Sequence, residues 1–198
     1  MKGYLKLRKH ALHILNTELP EELCYHNIIH TLDVLNVVNK YIRRQKIDNH
    51  HAKLLRIGAI LHDIGFTVGR ENHEEKGVVI AKRLMHQYNF SEKDIKIVKG
   101  LILATKVPQS PKTNLEKIIC DSDLDYLGRR DFYVTGDQLL KELNNQGFNL
   151  DVEEWNKMQI TFLKDHKYLT EFAKKYRKPK KVKRIKELEK LIENEIAK

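Results

Sequence analysis

Residues 25–41, YHNIIHTLDVLNVVNKY, place His26 and His30 four positions apart at the head of an apolar segment. Four-residue spacing on a helix stacks two side chains on one face. The pair is therefore either two polar residues at a helix start or two members of a site, with Leu32, Leu35, Val38 and Ile42 expected to pack inward behind them. A second stretch, AILHDIGFTVGRENHEEKG (59–77), closes an apolar run with His62 and Asp63. Adjacent helical side chains diverge by about 100°, so these two can hold one ion between them, or Asp63 can turn its second oxygen to another. A His–Asp pair at the end of an apolar run has a charge that is costly to bury, and a metal would satisfy it.

A third stretch, IICDSDLDYLGRRDF (118–132), carries Asp121, Asp123 and Asp125. A calcium loop is excluded, because Tyr126 stands where the sharp turn needs glycine and Phe132 where a bidentate acid is needed. As a helix the segment is coherent. Ile118, Ile119, Leu124 and Leu127 supply its apolar positions, and Asp121 and Asp125 share a face. Asp121 directly follows the apolar run, where a carboxylate can be brought into a core-lining site. Two imidazoles and two carboxylates form a mixed nitrogen and oxygen donor set, suited to manganese, iron, zinc, nickel or cobalt rather than to magnesium or calcium alone. Water on such an ion loses a proton near neutral pH. A second, weakly held magnesium or manganese at Asp63 is compatible with this set.

In chain order, His30, the dipeptide His62-Asp63 and Asp121 on three separate helices resemble the ligand signature of the HD superfamily of metal-dependent phosphohydrolases, over about residues 20–170. The resemblance implies metal ligation by His30, His62, Asp63 and Asp121, and hydrolysis of a phosphoester in a nucleotide-like substrate. The motif YHNIIHTLDV is similar to the first metal motif of the cyclic-nucleotide phosphodiesterases, a branch of that superfamily. It implies that His26 protonates the leaving oxygen, chemistry an imidazole can do. WNKMQITFLKDHKYL, with Gln159 and Phe162 three apart, is similar to the segment of that branch in which a glutamine hydrogen-bonds a purine and a phenylalanine stacks on it.

The departures from the branch are specific. Phe66 stands where it has a further histidine, and the helix ending LILATK has none. One firmly held metal is therefore expected, with His73 in a supporting role or at a weaker second metal. Lys106, Arg70 and Arg129 each follow a site-bearing helix or loop and are candidates for phosphate contacts. Nucleoside mono- or triphosphate hydrolysis, or a catalytically silent metal-containing module that binds nucleic acid or protein, are the alternatives.

The elements that must position these residues read as helix almost throughout. Apolar residues recur at three- and four-residue spacing in 4–16, 27–45, 51–62, 74–88, 92–104, 115–127, 131–145 and 152–165, with no sustained alternation. Pro20 follows the first helix, Ser91 is placed to cap the fifth, and KVPQSPKTN is a two-proline loop. The fold expected is all-α: a single-domain irregular helical bundle (1–173) with a basic C-terminal helical extension (174–198). Pro179 is expected to interrupt that extension before Ile185, Leu188, Leu191 and Ile192 form one face.

The formal charge of +10 is local: KKYRKPKKVKRIK (174–186) holds nine Lys or Arg and no acid, which leaves the remainder at +1. A nucleic acid or acidic partner is expected only through that segment, and self-association through the terminal helix is a further expectation. No apolar run is long enough to span a bilayer, and the N-terminal segment does not read as a signal peptide. Cys24 and Cys120 show no pairing pattern, so a reducing cytoplasm is the expected compartment.

Overall fold

The computed structural model describes residues 2–196. The periodic segments become ten α-helices and two short 3-10 helices, with no strand among the described residues, so the all-α expectation is met. Two compact units divide between Asp123 and Leu124.

The first unit contains α1 (Lys2–Glu18), α2 (Ile28–Arg44), α3 (Asn49–Leu61), a 3-10 helix (Ile64–Val68), α4 (His73–Gln87), α5 (Glu92–Ala104) and α6 (Asn114–Asp123). Helix α3 is its centre, because it is apolar nearly all round: Leu54, Leu55, Ile57, Ala59, Ile60 and Leu61 have no exposed surface. Helices α1, α2, α5 and α6 pack against it, and burying each large side chain contributes about 1.5–3 kcal/mol. α5 comes close at Gly58, where a Cβ would sit 2.7 Å from the Leu101 side chain. Ser91 caps α5 as expected, its Oγ accepting from the Asp94 amide at 3.2 Å.

The inward face of α2 is made by Val34, Leu35, Val38, Tyr41 and Ile42, while Leu32, expected among them, is 41% exposed. The segment expected to run as helix from 115 to 127 instead ends α6 at Asp123.

The second unit contains a 3-10 helix (Asp125–Gly128), α7 (Phe132–Asn145), α8 (Val152–Asp165), α9 (Glu171–Tyr176) and α10 (Lys178–Ile196). Asp151 and Glu154 form a reciprocal capping box that starts α8. Pro179 does not interrupt the terminal helix. It lies in the first turn of α10, where a missing amide proton costs nothing. Leu188 is buried and α10 packs on α8 and α9, whereas Leu191 is 46% exposed. Residues 174–196 are thus built into this unit, and the division at Asp123 does not coincide with the boundary expected at 173. No helix among the described residues is long and apolar enough to cross a membrane.

Candidate metal centre

Three helix ends and one short turn bring the donors of the first unit together. Asn27 caps α2, its Oδ1 accepting from the amides of Ile29 at 2.9 Å and His30 at 3.3 Å. Such a cap is worth about 1 kcal/mol, and here it also sets the residue at which the helix begins. His30 therefore stands in the first turn, and His26 lies before the helix rather than on it. His62 closes α3, and its Nδ1–H donates to the Ala59 carbonyl at 3.0 Å. That bond leaves Nε2 as the ring's free ligand atom, the way metal-binding imidazoles are commonly oriented.

The result is a convergence of Nε2 and carboxylate atoms. His30 Nε2 lies 3.2 Å from His62 Nε2 and 3.1 Å from Asp123 Oδ1. These three ligand atoms all fall within 4.8 Å of one another, a group that can hold a metal ion. Asp63 Oδ2 is 3.0 Å from His62 Nε2 and 3.4 Å from His30 Nε2, yet it is buried with no hydrogen-bond partner. Without a metal, only the two imidazoles, when protonated, offset the burial of that charge. The oxygen aims into a cluster of nitrogen and oxygen donors, and a cation among them would satisfy it, so the residues present fit a divalent ion.

The electrostatics agree. Burial opposes charge on His30, but the carboxylates of Asp123 and Asp63 outweigh it and lift the imidazole to about 9. His62 is raised well above its ordinary value against the same burial, by Asp63 first and Asp123 next. Burial opposes ionisation of the two acids in turn, yet His62 and His30 hold Asp63 well below the usual carboxylate range, and hold Asp123 at about 2. The site is arranged for positive charge.

The carboxylate that meets the histidines is that of Asp123, where the sequence pointed to Asp121. Residues two apart on a helix diverge by about 200°, so only one of the two can face the site. Asp121 is fully buried on α6 and is not a member of the group. Asp125, which was to share its face, is held in the second unit by Arg177, Nε to Oδ1 at 2.6 Å and Nη2 to Oδ2 at 2.9 Å.

Around the donors lies an aromatic wedge that sequence reasoning missed. Phe66, 3% exposed, stacks on His26 with ring centroids 4.4 Å apart and on His73 at 4.0 Å. His73 opens α4, and Gly65 admits it. A Cβ on Gly65 would lie 1.8 Å from the His73 carbonyl oxygen and 2.7 Å from the Gly77 nitrogen. The His73 Nδ1–H donates to the Arg70 carbonyl, which directs Nε2 to within 3.7 Å of Asp63 Oδ1 and 3.5 Å of Glu74 Oε1. Burial lowers the His73 imidazole below its ordinary value. Asp63 thus faces the His30–His62 pair with one oxygen and His73 with the other. Glu74, only 6% exposed, is a further acid that the HEEKG stretch held without any signal separating it from its exposed neighbour Glu75.

The expected phosphate contacts fare differently. Lys106 is exposed and occupied by Glu75 at 2.6 Å. Arg70 is exposed and gives its backbone carbonyl to His73. In the second unit, Arg129 is half-buried with its guanidinium on Asp131, Nε to Oδ1 at 2.9 Å. Gln159, also in that unit, is buried over Gly136 and donates to Asn156 Oδ1 at 3.4 Å, while Phe162 stacks on His166 with centroids 6.2 Å apart.

The family model of the HD domain matches residues 27–125, half of the chain, from the Asn27 cap through the histidines to Asp125, two residues past the end of α6. The chain belongs to the HD domain family. HD domains bind divalent metals and make up a superfamily of metal-dependent phosphohydrolases. An uncharacterized protein of Clostridium beijerinckii is 32% identical over 96 residues, which are 47% of this chain and 60% of that protein. The chain therefore spans 60% of the length of that relative. No solved structure matches.

Proposed function

We propose that this HD domain is a metal-dependent phosphohydrolase acting on a phosphodiester of a nucleotide-like substrate. The observation that carries the proposal is the approach of His30, His62 and Asp123 around the buried Asp63 Oδ2, which forms no hydrogen bond. These four residues would hold the ion, and Asp63 Oδ1, His73 and Glu74 are the groups available to a second, weaker one. A bound divalent ion supplies a Lewis acid that acidifies water near neutral pH.

The chain's own residues supply the rest. His26 lies outside the ligand set, with its ring 6.0 Å from His30. From there it donates a proton to the leaving alkoxide, which is otherwise a poor leaving group. Phe66 fixes the plane of His26 on one side, and Tyr25 meets the same ring edge-on at 4.6 Å. The Ala59 carbonyl holds His62 in the tautomer that keeps Nε2 free. Neither Cys24 nor Cys120 is in a disulfide, in keeping with action in a reducing compartment such as the cytoplasm.

The test is turnover of cyclic nucleotides, whose leaving group is an alkoxide, and of nucleoside mono- and triphosphates by manganese-loaded protein, beside His26→Ala. Diester turnover that falls by about 100-fold or more in the variant, with metal content unchanged, is the expected result. Diester turnover unchanged by the substitution would remove His26 from the mechanism. Turnover confined to nucleoside mono- or triphosphates would replace the diester by those substrates.

A further inference from the structure

The nine cations of residues 174–186 are sorted by the fold into two sets. Three point inward within the second unit. Arg177 is paired through two hydrogen bonds with Asp125. Lys181, 5% exposed, donates to the carbonyls of Leu163, at 2.6 Å, and His166, closing the C-terminal end of α8. Arg184 donates to Glu187 at 2.6 Å and to the Arg129 carbonyl at 3.2 Å, and lies over the Tyr133 ring. Spaced four and three apart, they share a face with buried Leu188.

The other six, Lys174, Lys175, Lys178, Lys180, Lys183 and Lys186, are all exposed. Lys174 pairs with Glu171, and Lys183 lies 3.6 Å from Glu187, a carboxylate already engaged by Arg184 and Tyr133. Lys175, Lys178, Lys180 and Lys186 form no ion pair with any described residue.

We propose that this outward lysine face of α9 and α10 binds the phosphodiester backbone of a nucleic acid. The cations extend over about 18 Å of helical rise, and duplex nucleic acid presents a phosphate charge every ~1.7 Å along its axis. A row of lysines, strongly hydrated point charges on flexible stems, suits sequence-independent phosphate contact. A membrane-surface helix would need its apolar face free to enter the lipid, and here Leu188 on that face is buried by the protein itself. The proposal does not rest on the metal centre.

The test is fluorescence anisotropy of the full chain with a labelled 30-nucleotide single strand and a 30-base-pair duplex between 50 and 200 mM KCl. The variant replaces Lys175, Lys178, Lys180 and Lys186 by Gln, and a control of equal charge replaces exposed Lys82, Lys93, Lys96 and Lys99. The quadruple variant is expected to bind at least about tenfold more weakly at 50 mM, with the slope of log K against log salt reduced by roughly 3. The control is expected to bind like the wild type, and circular dichroism melts of both variants confirm that they fold. Equal weakening in the two would assign the affinity to net charge and overturn the proposal. So would unchanged binding by the quadruple variant, or failure of either oligonucleotide to bind at 50 mM. Phosphatidylserine vesicles and polyglutamate are run beside them; retention of either in place of the oligonucleotides would replace the partner by a membrane or an acidic peptide.

Discussion

His30 Nε2 and His62 Nε2 lie 3.2 Å apart although 32 residues separate them in the chain. Two imidazole nitrogens at that distance either share a proton or turn both lone pairs on a common cation. Asp123 at 3.1 Å and the buried Asp63 oxygen, which forms no hydrogen bond, favour the cation.

Purified protein is expected to carry about one equivalent of a transition metal, and Asp123→Asn should lower its affinity by more than the 10- to 100-fold typical of an outer-shell partner. Asp121→Asn should keep the metal, since Asp121 is not a member of the group. Elemental analysis of both variants beside His62→Ala decides the matter. Loss of metal in Asp121→Asn with retention in Asp123→Asn would return the ligand to Asp121.

The metal-free protein should be most stable in mild acid. His30 is raised from 6.5 to about 9 and His62 is raised as well, so their contribution is complete below about 6.5 and is lost as pH climbs through 9. Asp123, lowered from 3.8 to about 2, contributes above 3.8 and is lost as pH falls toward 2. Thermal melts should therefore show Tm falling between about pH 6.5 and 9 without metal. Bound metal must displace the imidazole protons, so its affinity should rise over the same interval. A Tm that rises toward pH 9 in the metal-free state would contradict this.

Phe66→Ala should cost about 3–5 kcal/mol, the usual range for an excavated buried ring, read from urea denaturation. Phe66→Leu keeps most of the volume and should fold better, yet it removes both imidazole stacks. Reduced kcat with unchanged metal content in the leucine variant would show the wedge positioning His26 and His73. Full activity there would reduce Phe66 to packing.

Gly65→Ala should be among the most damaging small substitutions, exceeding about 4 kcal/mol or preventing folding, because its Cβ would overlap the His73 carbonyl oxygen. Gly147→Ala is the comparison. Its φ of 91° disfavours a side chain, but nothing lies within 4 Å, so roughly 1–2 kcal/mol is expected. Similar denaturation midpoints for the two variants would mean that α4 does not need this close approach.

Donor types, helical class and several helix ends were legible from the chain itself. The dipeptide His62-Asp63 and the His30 motif needed only local periodicity to be placed at helix ends, and Ser91 announced its cap. Those are short-range properties, set by 3.6-residue repetition and by side chains bonding to nearby amides. What remained undetermined depended on helix rotation and long-range approach. Asp121 and Asp123 are equivalent in composition and differ only in the face of α6 they occupy, which is set by how α6 packs on α2 and α3. Phe66 became a wedge between two imidazoles because Gly65 lets α4 close over the turn. The basic run 174–186 looked uniform until packing spent Arg177, Lys181 and Arg184 inside the second unit and left the lysines outside. The sequence by itself determined which groups can bind, cap and repeat; the tertiary structure alone decided which of them meet, because contact between distant residues follows from the packing of whole helices rather than from any local preference.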